Sequence, residues 1–340
     1  MFTVRPRGVE ISFRIRRRSL TVTSALVALT VLAGLAGTFL YGDMTPAEAL
    51  RTLTGHGSRS DEFLLYTLRA PRLLCAAVVG LALGASGAVF QSLTRNPLGS
   101  PDVIGLTSGS STGAVLAITV VHAGIGMTAA GALAGGLGTA ALVYLLAFRR
   151  GVQGYRMILV GIGVGALLHA ATGYLLTRAR LEDAQVAQVW LVGSLNGRGW
   201  TEFFPAAAAL AVLLPLALAA ARWLPMLEMG DDTARGLGLW VETTRLVLAL
   251  LGVALVGLAT ATAGPISFVA LAAPQVARRL TGASGPGVLP AALTGALLTV
   301  AGDIAAERVF PGGLPVGVVS GATGGAYLAW LLARELRAGR

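Results

Sequence analysis

The chain has 340 residues, of which 55% are hydrophobic and only 12% charged, and a mean hydropathy of +0.74. Soluble domains carry about a quarter charged residues, so this composition excludes a soluble globular protein and calls for many apolar spans. The net charge of +10 comes from arginine alone; with no lysine anywhere, the chain cannot hydrolyse ATP through a Walker A loop, whose lysine holds the terminal phosphates.

Residues 1–19 form a basic segment in which Arg5, Arg7, Arg14, Arg16, Arg17 and Arg18 stand against one acid, Glu10. The apolar run Leu20 to Tyr41 is too long for the h-region of a signal peptide and reads as a retained first helix. Nine further spans are expected near 69–93, 103–122, 126–148, 155–177, 203–223, 241–262, 268–281, 287–306 and 315–334. The chain is therefore expected to be an all-α bundle of about ten transmembrane helices, a single membrane domain over 20–340. The span 268–281 is short for a crossing and reads as partly re-entrant or broken, which requires cover by protein or a water-filled cavity.

An even number of spans puts both termini on one side. Starting inside, 18 of the 26 arginines fall in inner segments, among them Arg149, Arg150, Arg278, Arg279, Arg337 and Arg340. By the positive-inside rule both termini are cytoplasmic. Arginines in short clusters between apolar runs fit membrane orientation and not a nucleic-acid footprint, so lipid is an expected partner and nucleic acid is not. Cys75 is alone and His56, His122 and His169 are far apart, so no disulfide, metal site or bound cofactor is expected.

Several of the 46 glycines recur at four-residue intervals inside spans: Gly80/Gly84, Gly131/Gly135, Gly161/Gly165, Gly317/Gly321 and Gly321/Gly325. Such spacing lets helix backbones approach closely in lipid. Two polar loops stand out. Residues 94–102 hold Pro97, Gly99 and Pro101, which stop one helix and start the next, and Gln91 and Asn96 are expected to hold the broken end by amide hydrogen bonds. Residues 225–240 form the longest inner connection. There Gly230 permits a tight turn, Asp231 can cap, and Asp232 lies in the first turn of a short surface helix at about 228–239.

Among single side chains, Asp303 reads either as a functional intramembrane acid or as a partner of Arg308. His169 reads as a histidine hydrogen-bonded between helices. Trp190 and Trp200 fit an aromatic belt. Gly109-Ser-Ser-Thr-Gly113 fits G-x-S-x-G, and with His169 on another span it raises a distant alternative, an intramembrane serine protease using Ser111. The strand-turn-helix setting of the hydrolase motif is missing, however.

Four stretches together resemble the FecCD-type permeases, the transmembrane subunits of type II ABC importers for ferric siderophores, haem and cobalamin. They are Leu68-Arg-Ala-Pro-Arg-Leu-Leu running through Gly87 and Gln91 into Arg95-Asn-Pro-Leu-Gly-Ser-Pro-Asp-Val-Ile-Gly; Trp190-Leu-Val-Gly-Ser-Leu; Gly230-Asp-Asp-Thr-Ala-Arg-Gly-Leu-Gly; and Ala263-Gly-Pro-Ile-Ser-Phe through Pro274, Arg278 and Asp303 to Leu314-Pro-Val-Gly-Val. The sequence departs from the family pattern at Ala270, Gln275 and Gly313. The resemblance implies a multi-pass permease of the cytoplasmic membrane, working as a homo- or heterodimer by alternating access in iron uptake. It also implies separate ABC ATPase subunits and an extracytoplasmic substrate-binding protein as partners. Gly230, Asp231, Asp232, Ala234, Leu237 and Gly238 map onto the ATPase-coupling helix. Arg69, Arg72 and Arg308 map onto outward-facing arginines that dock the binding protein; Gln91, Asn96, Pro97 and Pro101 form a helix-break or gating segment. The family subunit is not an enzyme. An ion-gradient-driven carrier is the other alternative, but such carriers bury ionisable groups near the midplane, and these spans are almost free of charge.

Overall fold

The computed structural model describes residues 2–4, 13–15, 17–40, 45–102, 105–147, 154–282, 285, 287–309 and 313–338. Arg5, Arg7, Arg16, Arg149, Arg150 and Arg340, which count towards the charge asymmetry, lie outside the described residues, as do Val103 and Ile104 of the first family stretch. Two short strands, β1 (Phe2–Val4) and β2 (Phe13–Ile15), pair antiparallel with Phe2 opposite Ile15. The basic N-terminal segment thus contributes a small ribbon to an otherwise helical chain.

The helices are α1 (Arg17–Leu40), α2 (Pro46–Leu53), α3 (Arg59–Glu62), α4 (Ala70–Thr94), α5 (Leu106–Thr119), α6 (Ile125–Ala147), α7 (Gly154–Arg178), α8 (Leu181–Val192), α9 (Trp200–Ala220), α10 (Leu224–Glu228), α11 (Asp231–Gly236), α12 (Val241–Ala263), α13 (Val269–Thr281), α14 (Val288–Arg308) and α15 (Val316–Ala338). A π-helical stretch, Phe63–Arg69, joins α3 to α4 without a break. Pro71 has no N–H to give the Thr67 carbonyl, and the helix widens ahead of it.

Each of the ten expected spans coincides with a helix, but not every one is long enough to cross. Among the described residues, seven helices are long and apolar enough to span a membrane. With 14 and 13 residues, α5 and α13 reach only about 20 Å at 1.5 Å per residue, against a core of about 30 Å. For α13 this matches the expected short element. For α5 it corrects the full span expected at 103–122, because the Pro101 loop and the bend after Val120 shorten it at both ends. The helices α2, α3 and α8 were not expected. Both α2 and α3 begin with capping boxes, Thr45 with Glu48 and Ser58 with Asp61, a pattern visible in the sequence.

The bundle is built around α4, 83% buried along its most apolar stretch, whereas α1 and α7 are 11% buried along theirs. Glycines on α4 let its neighbours approach closely. A Cβ on Gly80 or Gly84 would run into the backbone of Gly295, Ala291 and Ala292 on α14, and one on Gly87 into the Ala270 carbonyl of α13. Gly109 and Gly113 of α5 meet Gly135 and Gly131 of α6 in the same way. The glycine spacing of Gly80/Gly84 and Gly131/Gly135 therefore marks real crossings, while around Gly321 and Gly325 the space is open.

Candidate functional site

Polar chemistry concentrates at the two ends of α4, whose 25 residues separate them by about 37 Å. At the N-terminal end, Arg72 grips both oxygens of Asp303 on α14, with Nε and Nη2 each 2.8 Å away. Its third nitrogen, Nη1, lies 2.5 Å from Glu307. Asp303 is fully buried. Asp303 and Glu307 are four apart and share a helix face. Arg308, five residues from Asp303, lies about 140° round the helix and is exposed. Pairing of Asp303 with Arg308 is therefore replaced by pairing with Arg72. Arg69 is also drawn inward, at 5% exposure, and its Nη1 donates to the Thr38 carbonyl of α1 at 2.8 Å. Of these three arginines Arg308 is exposed, whereas the side chains of Arg69 and Arg72 bind α1 and α14 to α4.

At the C-terminal end of α4 the chain turns through Arg95 in the left-handed region, φ +51°. The Arg95 N–H bonds the Ser92 carbonyl and the Asn96 N–H bonds the Gln91 carbonyl. This is a Schellman closure with arginine where glycine is usual, at a cost of about 1–2 kcal/mol. The Arg95 side chain leaves this corner to donate from Nε to the Leu227 carbonyl (3.0 Å) and from Nη2 to Asp231 Oδ1 (2.6 Å). Arg245 of α12 completes the cluster, donating to both oxygens of Asp231 at 2.9 and 2.6 Å. Partial burial pushes the Asp231 carboxyl up, but hydrogen bonds and charge from Arg95 and Arg245 outweigh it and hold the group below its ordinary range.

Asp231 opens α11, which is shorter than the expected 228–239. Gly230, at φ +110°, is its N-cap and no side chain caps it; the Asp231 carboxylate serves the arginines and not the helix end, which corrects its expected capping role. At the other end Gly238 (φ +82°) closes a second Schellman motif, Gly238 N–H to Arg235 and Leu239 N–H to Ala234. Ala234 is buried. Asp232, Leu237 and, beyond the helix, Trp240 at 82% exposure point away from the bundle.

Gln91 and Asn96 make structural amide hydrogen bonds at the broken end, as expected, and the end is also tied to α13. Gln91 Nε2 donates to the Leu271 carbonyl (2.9 Å), and its Oε1 accepts from Arg278 (2.6 Å). Gln275 donates to the Pro97 carbonyl and accepts from Tyr327 of α15. The side chain of Asn96 accepts the Leu98 N–H. Pro101 is buried, its carbonyl receiving the Leu106 N–H.

His169 is exposed on α7 and Ser111 is buried on α5. Thr112 and Thr172, bonded at 2.9 Å, hold the two helices together instead, so the structure does not join Ser111 to His169. Among the described residues there is no group of histidine, cysteine and acidic side chains able to hold a metal. The roles of Arg95 and Glu307 depend on partners over a hundred residues away, that of Arg245 on Asp231 in a different helix, and that of Trp240 on exposure alone, so none of the four stands out in the sequence.

A multi-helix bundle with one charged cluster clamping its core helices and another presenting a short exposed helix is the build of a polytopic membrane permease. Comparison with known proteins agrees. Residues 25–334 match the FecCD transport family. The chain is 44% identical to the ferric enterobactin transport system permease protein FepG of Escherichia coli (strain K12) over 326 residues, covering 95% of this chain and 98% of that protein. It is 36% identical to the probable siderophore transport system permease protein YfhA of Bacillus subtilis (strain 168), covering 89% and 90%. A solved structure described as an inward-facing metal-chelate type ABC transporter aligns with a TM-score of 0.81 at 26% identity, over 93% of this chain and 99% of that one. The chain belongs to the FecCD transport family. It is a multi-pass inner-membrane permease subunit of an ABC importer, not a protease or an ion-driven carrier.

Proposed function

We propose that this subunit carries a ferric siderophore, or a related metal chelate, across the inner membrane by ATP-driven alternating access, with both termini cytoplasmic. The observation that carries the reading is α11: a short helix seated on Ala234 and tied down through Asp231, with Leu237 exposed on its outer side and Asp232 exposed there in a pair with Arg235. Trp240 and Met229, both exposed, extend this face. Such a projection suits a groove on a soluble ATPase subunit, and its apolar tips would be buried there. The opposite end, where Arg308 is exposed and Arg69 and Arg72 brace the rim, meets the binding protein, whose acidic groups would steer docking. A second permease subunit, identical or related, completes the path. The cargo follows from the relatives named above, FepG and YfhA. Uptake of radio-iron delivered as ferric enterobactin, in cells lacking their own permease, tests it. Restored uptake supports the chelate reading; uptake of neither this nor any other ferric siderophore refutes it.

A further inference from the structure

We propose that Arg95 is the positioning residue that transmits movement of α11 to the core of the bundle. This rests on the reading of α11 as the ATPase-facing element and adds the path inward from it. Direct bonds carry that path. Asp231 opens α11 and is held by Arg95; Arg95 also holds the last turn of α10 through Leu227. Its own backbone forms the closure of α4, within which the Asn96 N–H bonds Gln91. The Gln91 side chain in turn holds α13 at Leu271 and Arg278. One residue therefore links α10 and α11 to the corner from which α4 grips α13, and Gln275 extends the link to Tyr327 on α15.

The backbone gives an independent reason. A left-handed C-terminal closure favours glycine, because a Cβ there crowds the following carbonyl. Arginine is strained at φ +51°, and strain that local structure does not need points to a side chain that function does. Arg245 binds the same carboxylate, so Asp231 keeps a partner when Arg95 is changed. Arg95 can thus be replaced without leaving that acid uncompensated.

The test uses the complete importer, permease with ATPase and binding protein, in proteoliposomes. Arg95→Gly removes the link and relieves the strained corner. The expected result is unchanged or higher thermal stability and unchanged co-purification with the ATPase, while substrate moved per ATP hydrolysed falls about tenfold, the scale of a lost charge-assisted hydrogen bond. Arg95→Lys, which keeps the charge near Asp231, recovers part of the loss. Wild-type transport per ATP in Arg95→Gly overturns the proposal. So does a parallel fall in stability and transport, which would make Arg95 merely structural. A Leu237→Asp variant separates the underlying reading: if the ATPase still co-purifies with it at the wild-type level, α11 does not face the ATPase and the proposal falls with that reading.

Discussion

Arg72 and Asp303 are 231 residues apart in the chain, yet the guanidinium meets both carboxylate oxygens at 2.8 Å inside the bundle. The pair locks the start of α4 to the end of α14 where the acid has no access to solvent. Removing one partner of a buried pair leaves the other charge uncompensated and costs about 3–5 kcal/mol, whereas replacing both with apolar groups of similar volume is far milder. Arg72→Met should therefore lower thermal stability in detergent sharply, and Arg72→Met with Asp303→Leu should recover most of it. A double variant as damaged as the single one would show that the pair contributes more than mutual compensation.

Gly87→Ala should be poorly tolerated, because the added methyl would meet the Ala270 carbonyl, a backbone atom that cannot rotate away. Overpacking of this kind costs about 1–3 kcal/mol. Gly138→Ala on α6 meets nothing within 4 Å and should be neutral. The yield of monodisperse protein on size-exclusion chromatography checks both.

The Asp231 cluster should be sensitive to acid. Its carboxyl is held below the ordinary range in the folded protein, so the stability it contributes is complete above the ordinary carboxylate pKa and is lost as pH falls through the lower, folded value. The protection of the α11 amides, taken relative to intrinsic exchange at each pH, should be constant near neutral pH and fall only below about pH 4. Asp231→Asn should remove that acid step; its persistence in the variant would assign the step to another group.

Gln91→Met keeps the side-chain volume but strips a hydrogen bond from Arg278 and another from the Leu271 carbonyl. Leaving such buried groups unpaired costs about 1–3 kcal/mol. The loss should appear as faster proteolysis of the α4–α5 loop, and Gln91→Glu, which still accepts from Arg278, should be less affected.

Much of the architecture was legible because lipid leaves a chain few choices. Apolar runs of about 20 residues must be helical, and small residues four apart mark crossings; Gly80, Gly84, Gly131 and Gly135 all lie at such crossings. Gln91 and Asn96 were legible as structural amides beside a proline-broken helix end. The partner of Asp303 was not. Nearness in sequence favoured Arg308, but helical geometry turns residue 308 away and brings Glu307 and the distant Arg72 to the acid. Likewise Asp231 suggested a cap beside Gly230, while the structure offers it two guanidinium groups from other helices. Long-range pairing of this kind has no periodic signature, and neither does the strained corner at Arg95. The capping boxes at Thr45 and Ser58, by contrast, carry a local signature, the partner acid three residues on.

The most direct test of the account is recovery of the tagged permease from its native membrane in mild detergent, with partners identified by mass spectrometry, for the wild type and for Leu237→Asp. The account predicts an ABC ATPase in the wild-type sample and its loss from the variant, with the permease itself still folded. Absence of any ATPase from the wild-type sample, in a membrane where one is expressed, would contradict it.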